Sequence, residues 1–240
     1  MCRPRPRLFA TRLCVVLCGL VLLVATSSAR AADNELTPED KAAGWTLLFD
    51  GKSLDGWMRS DSKPSNRGVD HEAINPHRNG SYMLVYDKEF KNFELQCDFK
   101  VTPNCNSGIF VRTSSLTPRK GKDVGYNGIE VAIDDGIKEG YHATGAIYDL
   151  SPALVDATKP TGQWNHILII CNGPNITVEL NGKQVNSVDL DQFTQLNLRP
   201  NGTPHKFDVA YKDHPRHGYI GLQDHGSPCW FKNIKLRELN

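Results

Sequence analysis

Five side chains have types suited to moving protons and holding a polar ligand: Arg112, Glu130, Asp134, Gln223 and His225. Each lies in or beside a stretch where apolar and polar residues alternate. In an extended strand, successive side chains point to opposite faces. Over residues 108–113, Ile109 and Val111 share one face, and Phe110 and Arg112 the other. Over 128–134, Ile129, Val131 and Ile133 oppose Glu130, Ala132 and Asp134. Over 219–225, Ile220 and Leu222 oppose Gly221, Gln223 and, if the strand runs that far, His225. Were these strands neighbours, two carboxylates, a guanidinium, an amide and an imidazole would converge on one face. Sugar hydroxyls are recognised by such planar donors and acceptors, often with an aromatic ring to stack on. The plain alternative is a set of solvated strand residues, with Arg112 an ion-pair partner of Glu130 or Asp134.

The spacing limits the chemistry. Glu130 and Asp134 are four residues apart on one strand, about 13 Å at the usual rise. That is too far for the carboxylate pair of a retaining glycosidase and long for an inverting one. Asp134, Asp135 and His225 are usable ligands for a divalent metal such as Ca, but no ligand spacing is diagnostic, and no cofactor is expected.

The elements that must position these groups are short strands. Residues 93–101, FELQCDFKV, alternate cleanly and read as a half-buried antiparallel strand. Asn181-Gly182 between two apolar runs signals a hairpin. Thr37-Pro38-Glu39-Asp40 reads as an N-cap, a Pro at the first helical position and acids in the first turn, so one short helix is expected there. Residues 60–79 and 191–216 read as long loops. Roughly a dozen short strands separated by turns, without an internal repeat, give an all-β fold, a β-sandwich.

The first 31 residues stand apart. Four arginines precede an apolar run at 13–25, followed by Ala29-Arg30-Ala31, the pattern of a Sec-type signal peptide cleaved near Ala31. The run is too short for a membrane span. A secreted or periplasmic protein is expected, with a polar leader over 32–43, one domain over 44–239 and no membrane attachment after cleavage. Without residues 1–31 the chain holds 23 basic and 27 acidic residues, a net charge of −4. This mild balance, free of charge blocks, offers no footprint for nucleic acid. Cys97, Cys105, Cys171 and Cys229 remain, with no CxxC pair. Cys97 falls on the apolar side of its strand and reads as a buried free thiol, whereas a Cys105–Cys229 bridge is conceivable because both lie in loops near polar motifs.

A set of motifs carries a resemblance. GWTLLFDGKSLDGW (44–57), DKEFKNFEL (87–95), NSGIFVR (106–112), YNGIEVAIDD (126–135), TGAIYDLSPA (144–153), a long segment at 162–185 and GYIGLQDHGSPCWFKNIKLREL (218–239) resemble, in order, the family of 3-keto-disaccharide hydrolases and 3-keto-glucoside 1,2-lyase–hydratases. The resemblance implies a concanavalin A-like jelly-roll β-sandwich of two antiparallel sheets, one concave and carrying the site. It implies cleavage of the glycosidic bond of an oxidised sugar, by C2 proton abstraction and elimination followed by hydration, or by net hydrolysis. On that reading His225 and Glu130 are the proton-transfer groups and Arg112 the enolate stabiliser. Asn106, Asp134, Tyr148 and Gln223 are then the substrate-binding residues. Two departures are visible: Ala132 stands where the family usually has Gln, and no Trp-containing strand is evident over 68–81. A non-catalytic lectin-like module of the same fold is the alternative, and fold alone does not decide between them.

Overall fold

The computed structural model describes Met1, residues 32–65 and residues 67–240. The expected signal peptide lies outside the described residues. The chain from Ala32 onward opens with helix α1 (Pro38–Ala42), capped reciprocally by Thr37 and Asp40. Thirteen strands follow: β1 (Thr46–Leu47), β2 (Trp57–Arg59), β3 (Val69–Asp70), β4 (Ala73–Ile74), β5 (Met83–Tyr86), β6 (Phe93–Val101), β7 (Asn106–Thr113), β8 (Ile129–Asp134), β9 (Asn165–Asn172), β10 (Asn175–Leu180), β11 (Lys183–Asp189), β12 (Tyr219–Gln223) and β13 (Cys229–Glu238). They form two antiparallel sheets, a β-sandwich. An eight-stranded sheet runs β11-β10-β9-β6-β13-β4-β3, with β1 beside β13, and a five-stranded sheet runs β2-β5-β12-β7-β8.

Alternating sequence makes this possible. Phe93, Leu95, Cys97, Phe99 and Val101 of β6 pack inward against Ile109 and Val111 of β7, Ile129, Val131 and Ile133 of β8, and Ile220 and Leu222 of β12. The β10–β11 hairpin turns at Asn181 and Gly182, with φ of +52° and +79°. Positive φ at both positions matches the twist of the flanking strands, and Asn-Gly is the pair that adopts it at least cost.

The loops hold more order than their composition suggests. Residues 60–79 contain β3 and β4, whose Ile74 pairs with Phe231 of β13. Residues 191–216 contain a short hairpin with bridges Gln195–Leu198 and Leu198–Pro204. The segment after β8 folds back along its edge: Tyr148 N–H donates to Glu130 O at 2.9 Å, and Ala132 N–H to Ala146 O at 3.0 Å. Cys105 and Cys229 are buried free thiols in mutual hydrogen-bond contact, so they are neighbours without a bond between them.

Candidate active site

The outer face of the five-stranded sheet carries the site. β8 pairs with β7 so that Glu130 lies opposite Phe110, and Ala132 opposite Gly108. The Glu130 side chain leans over Gly108: a Cβ at that glycine would stand 2.7 Å from Glu130 Oε1. Gly108 is therefore a cradle, and its missing side chain is what lets the carboxylate lie down on the sheet. Around Glu130 close Tyr82, Phe110, Asp123, Tyr126, Lys206 and Phe207. They bound a pocket of about 260 Å³, partly open to solvent. The centre of a water-sized sphere can move through about 20 Å³ of it, so at rest it has room for about one water.

The Glu130 carboxylate has no hydrogen-bond partner among the described residues. Burial pushes its pKa up from an ordinary 4.5 to about 8; Lys206 pulls it down in part, and Asp123 adds a smaller push upward. Burial of an unpaired acid favours its neutral form. Tyr82 is shifted upward as well, first by burial and then by the Glu130 charge. Its hydroxyl accepts from Gln223 Nε2 at 3.1 Å, and its ring meets Phe110 edge-on at 6.0 Å.

Lys206 stands over three rings. Its Nζ lies 4.3 Å from the Tyr148 centroid and 5.3 Å from those of Tyr126 and Phe207. Aromatic faces attract a cation and hold it without neutralising it. An unpaired acid and an aromatic-held ammonium thus share one pocket. One can exchange a proton near neutral pH, and the other can stabilise developing negative charge.

The expected residues are distributed differently from their strand parity. Glu130 lines the pocket, and Tyr148 lies beside it, its N–H on Glu130 O and its ring 4.3 Å from Lys206 Nζ. Gln223 is buried beside it, joined through Tyr82, with Oε1 left unpartnered. Arg112 is not on this face. It is fully buried between the sheets, where Nη2 donates to Lys91 O at 3.4 Å while Nε and Nη1 find no partner among the described residues. The reason is a β-bulge. Tyr219 pairs with Thr113 but Gly221 with Phe110, so two residues of β7 oppose one of β12. Arg112 takes φ +51° there, and the alternation inverts. His225 is also not a cleft residue: β12 ends at Gln223, and His225 stands exposed in the turn beyond it. Asp134 spends its carboxylate on its own turn, with Oδ1 accepting from Gly136 N–H at 2.8 Å and Ile137 N–H at 2.9 Å. Asn106 pairs with Asp134, two residue pairs beyond Gly108 and Ala132, and does not line the pocket. Among the described residues no three His, Cys, Asp or Glu groups gather as a metal site, so Asp134, Asp135 and His225 do not form a ligand set.

The pattern of the sequence does not single out Tyr82, Asp123, Tyr126, Lys206 or Phe207. All sit outside the regular strands. The one available signal was indirect: Tyr126 and Tyr148 flank the segments that carry Glu130 and the edge beside it.

Comparison with known proteins follows the same outline. A model of the 3-keto-alpha-glucoside-1,2-lyase-like domain matches residues 44–237. A 3-keto-disaccharide hydrolase of Bacteroides thetaiotaomicron VPI-5482 is 28% identical over 249 residues, covering 90% of this chain and 86% of that protein. Two crystal structures of candidate glycosyl hydrolases from Parabacteroides distasonis ATCC 8503 superpose with TM-scores of 0.67 and 0.71, at 31% and 25% identity. They cover 81% and 87% of this chain, and 99% and 100% of theirs.

Proposed function

The chain belongs to the 3-keto-alpha-glucoside-1,2-lyase-like family, and from that premise we propose that it is an enzyme cleaving the glycosidic bond of 3-keto-glycosides, with Glu130 as its base. The observation that carries this reading is a half-buried carboxylate in a cradle over Gly108, with no hydrogen-bond partner among the described residues and its pKa raised by desolvation to about 8. A base so poised suits a carbon acid, and a ketone at C3 makes the C2 proton of a sugar such an acid. Glu130 takes the C2 proton, and the C3 oxygen gathers the charge as an enolate. Lys206, an ammonium without a carboxylate partner among the described residues, stabilises that oxygen. The electron pair then closes a C1=C2 bond and expels the C1 oxygen, which takes up the proton that Glu130 holds. Water adding at C1, with a proton returning to C2, completes a net hydrolysis. His225 and Arg112 have no part in this scheme.

The Tyr126 ring supplies stacking surface at the mouth, and Tyr82 and Gln223 supply polar contacts for hydroxyls. The arginine-rich start and apolar run over residues 1–31 support export, so the substrate would be met outside the cytoplasm. The test is incubation of the purified protein with 3-keto-trehalose or a 3-keto-glucoside in D₂O, followed by NMR. Consumption of the ketone with deuterium at C2 is the expected result. An untouched ketone, with binding of unmodified glycans instead, would replace the enzyme by a lectin-like module.

A further inference from the structure

We propose that Asp149 is a positioning residue, which sets Lys206 against Glu130 by fixing the backbone of both walls of the pocket. This rests on the roles of Glu130 and Lys206 given above. Asp149 Oδ2 accepts the Lys206 backbone N–H at 2.7 Å. Its neighbour Tyr148 donates its own N–H to Glu130 O at 2.9 Å and places its ring 4.3 Å from Lys206 Nζ. One dipeptide thus touches the backbone of Glu130 through its own backbone, the Lys206 ammonium through a ring and the Lys206 backbone through a carboxylate.

Asp149 is itself held from several sides. Oδ1 accepts from Arg199 Nη2 at 2.5 Å, and its carbonyl accepts from Arg199 Nε at 3.0 Å. Arg199 is buried, lies 3.8 Å over the Tyr141 ring, and donates through Nη1 to Thr203 Oγ1 at 3.2 Å and to Pro204 O. The Asp149 N–H donates to Tyr141 O at 3.0 Å, and its φ is +57°, a left-handed conformation that Asp adopts more readily than most residues. On the other side Asn197 exchanges backbone bonds with His205 and Phe207, at 2.8 and 3.0 Å. Lys206 therefore lies on the returning arm of a short hairpin that turns at residues 199–203, and that arm is docked onto one carboxylate. The Asp149 charge is met by Arg199, so the carboxylate can hold the hairpin without placing a free negative charge beside Glu130.

The groups facing Glu130 are Tyr82, Asp123 and Tyr126, with Lys206 and Phe207 on the docked hairpin and Tyr148 on the edge segment. His142 and His205 lie further back, His142 Nε2 at 4.0 Å from Asp149 Oδ1. Of these, Lys206 is the cation whose withdrawal would raise the pH at which Glu130 loses its proton.

The test compares Asp149→Ala, Asp149→Asn and Lys206→Met in the purified protein, through kcat/KM against pH with a 3-keto-glucoside. Lys206→Met is expected to lower kcat about tenfold and to move the acid limb upward by on the order of 0.5 pH unit or more. Asp149→Ala should reproduce both effects. Asp149→Asn tolerates positive φ but has one amide oxygen for two donors and no charge for Arg199, so it should fall between wild type and Asp149→Ala in both rate and acid limb. If Asp149→Ala does not fold, Asp149→Gly, which meets the same φ without strain, takes its place. A variant at 149 that loses activity or stability with its acid limb unmoved, while Lys206→Met moves it, makes Asp149 purely structural and overturns the proposal. A Lys206→Met enzyme with wild-type rate and pH profile instead removes the role of Lys206 on which the proposal rests.

Discussion

Two carboxylates on opposite outer faces of the sandwich, the half-buried Glu130 and the buried Asp98, are partnered in opposite ways. Asp98 projects from the outer face of the eight-stranded sheet and is 4% exposed. Its Oδ1 is bonded to His166 Nδ1 at 2.8 Å, and its Oδ2 accepts from Asn233 Nδ2 at 2.8 Å. Around it the charges are spoken for: Lys232 reaches Asp33, and Lys100 lies 4.9 and 5.0 Å from the rings of Trp164 and Trp230. Glu130, across the molecule, is half-buried among rings, a glycine cradle and an ammonium, with no hydrogen bond among the described residues. A buried polar group with partners stabilises the fold; one without them costs stability and is retained where chemistry needs it.

The comparison breaks most sharply on substitution. Glu130→Gln, nearly isosteric, is expected to lower kcat by ~10²–10⁴ while leaving the fold intact, as measured by turnover of a 3-keto-glucoside and by circular dichroism. Asp98→Ala should do the reverse, leaving turnover within a few-fold and lowering stability by on the order of 1–3 kcal/mol in urea unfolding, since Asn233 and His166 lose their acceptor. If Asp98→Ala abolished turnover and Glu130→Gln did not, the contrast would be inverted.

The cradle provides a subtler probe. A methyl at residue 108 would stand 2.7 Å from Oε1, 2.8 Å from Cγ and 3.0 Å from Cδ of Glu130, and no backbone atom is among these nearest three, so the Glu130 arm must move aside. Gly108→Ala should therefore reduce kcat by about 10- to 100-fold through displacement of the base, with little change in melting temperature. A large loss of stability with a normal rate per folded molecule would show that the cradle serves packing alone.

The pH dependence of stability sharpens the same point. The folded protein holds the Glu130 proton up to about 8, whereas an ordinary glutamate releases it near 4.5. Between those values the native state binds more protons than the unfolded state, so stability from this group is full below about 4.5 and lost as the pH climbs toward 8. The wild type should accordingly fall behind Glu130→Gln as pH rises through that window, in parallel denaturation series. A difference that stays flat with pH would place the Glu130 pKa at an ordinary value. The smallest effect is expected at Tyr82: Tyr82→Phe removes the acceptor of Gln223 Nε2, at a cost of about 1 kcal/mol in thermal unfolding and a few-fold in kcat/KM. No change in either would make the Tyr82 hydroxyl a bystander.

Local alternation made much of this architecture legible. Residues 93–101 and 129–134 declare a core face and an outer face, Asn181-Gly182 declares a hairpin, and Thr37 declares a helix cap. Glu130 could be placed on a polar face because β8 is regular from end to end. Arg112 could not, because a bulge set by pairing with β12 reverses parity within one residue. His225 misleads for a related reason: a strand's end is a tertiary event, here the turn that Asp224 closes by accepting from Gly226 N–H at 3.0 Å. Lys206 was hidden because no periodicity governs its hairpin. Asp149, 57 residues away in sequence, holds it in place. Long-range contacts of this kind leave no trace in a window of neighbouring residues.

The most direct test follows hydrogen–deuterium exchange at C2 of a 3-keto-glucoside as a function of pH, with wild type and Glu130→Gln side by side. The rate for the wild type is predicted to rise through an acid limb with an apparent pKa near 8, and exchange is predicted to vanish in the variant. An acid limb near the ordinary value of 4.5, or exchange that survives in Glu130→Gln at the wild-type rate, would contradict the assignment of the base.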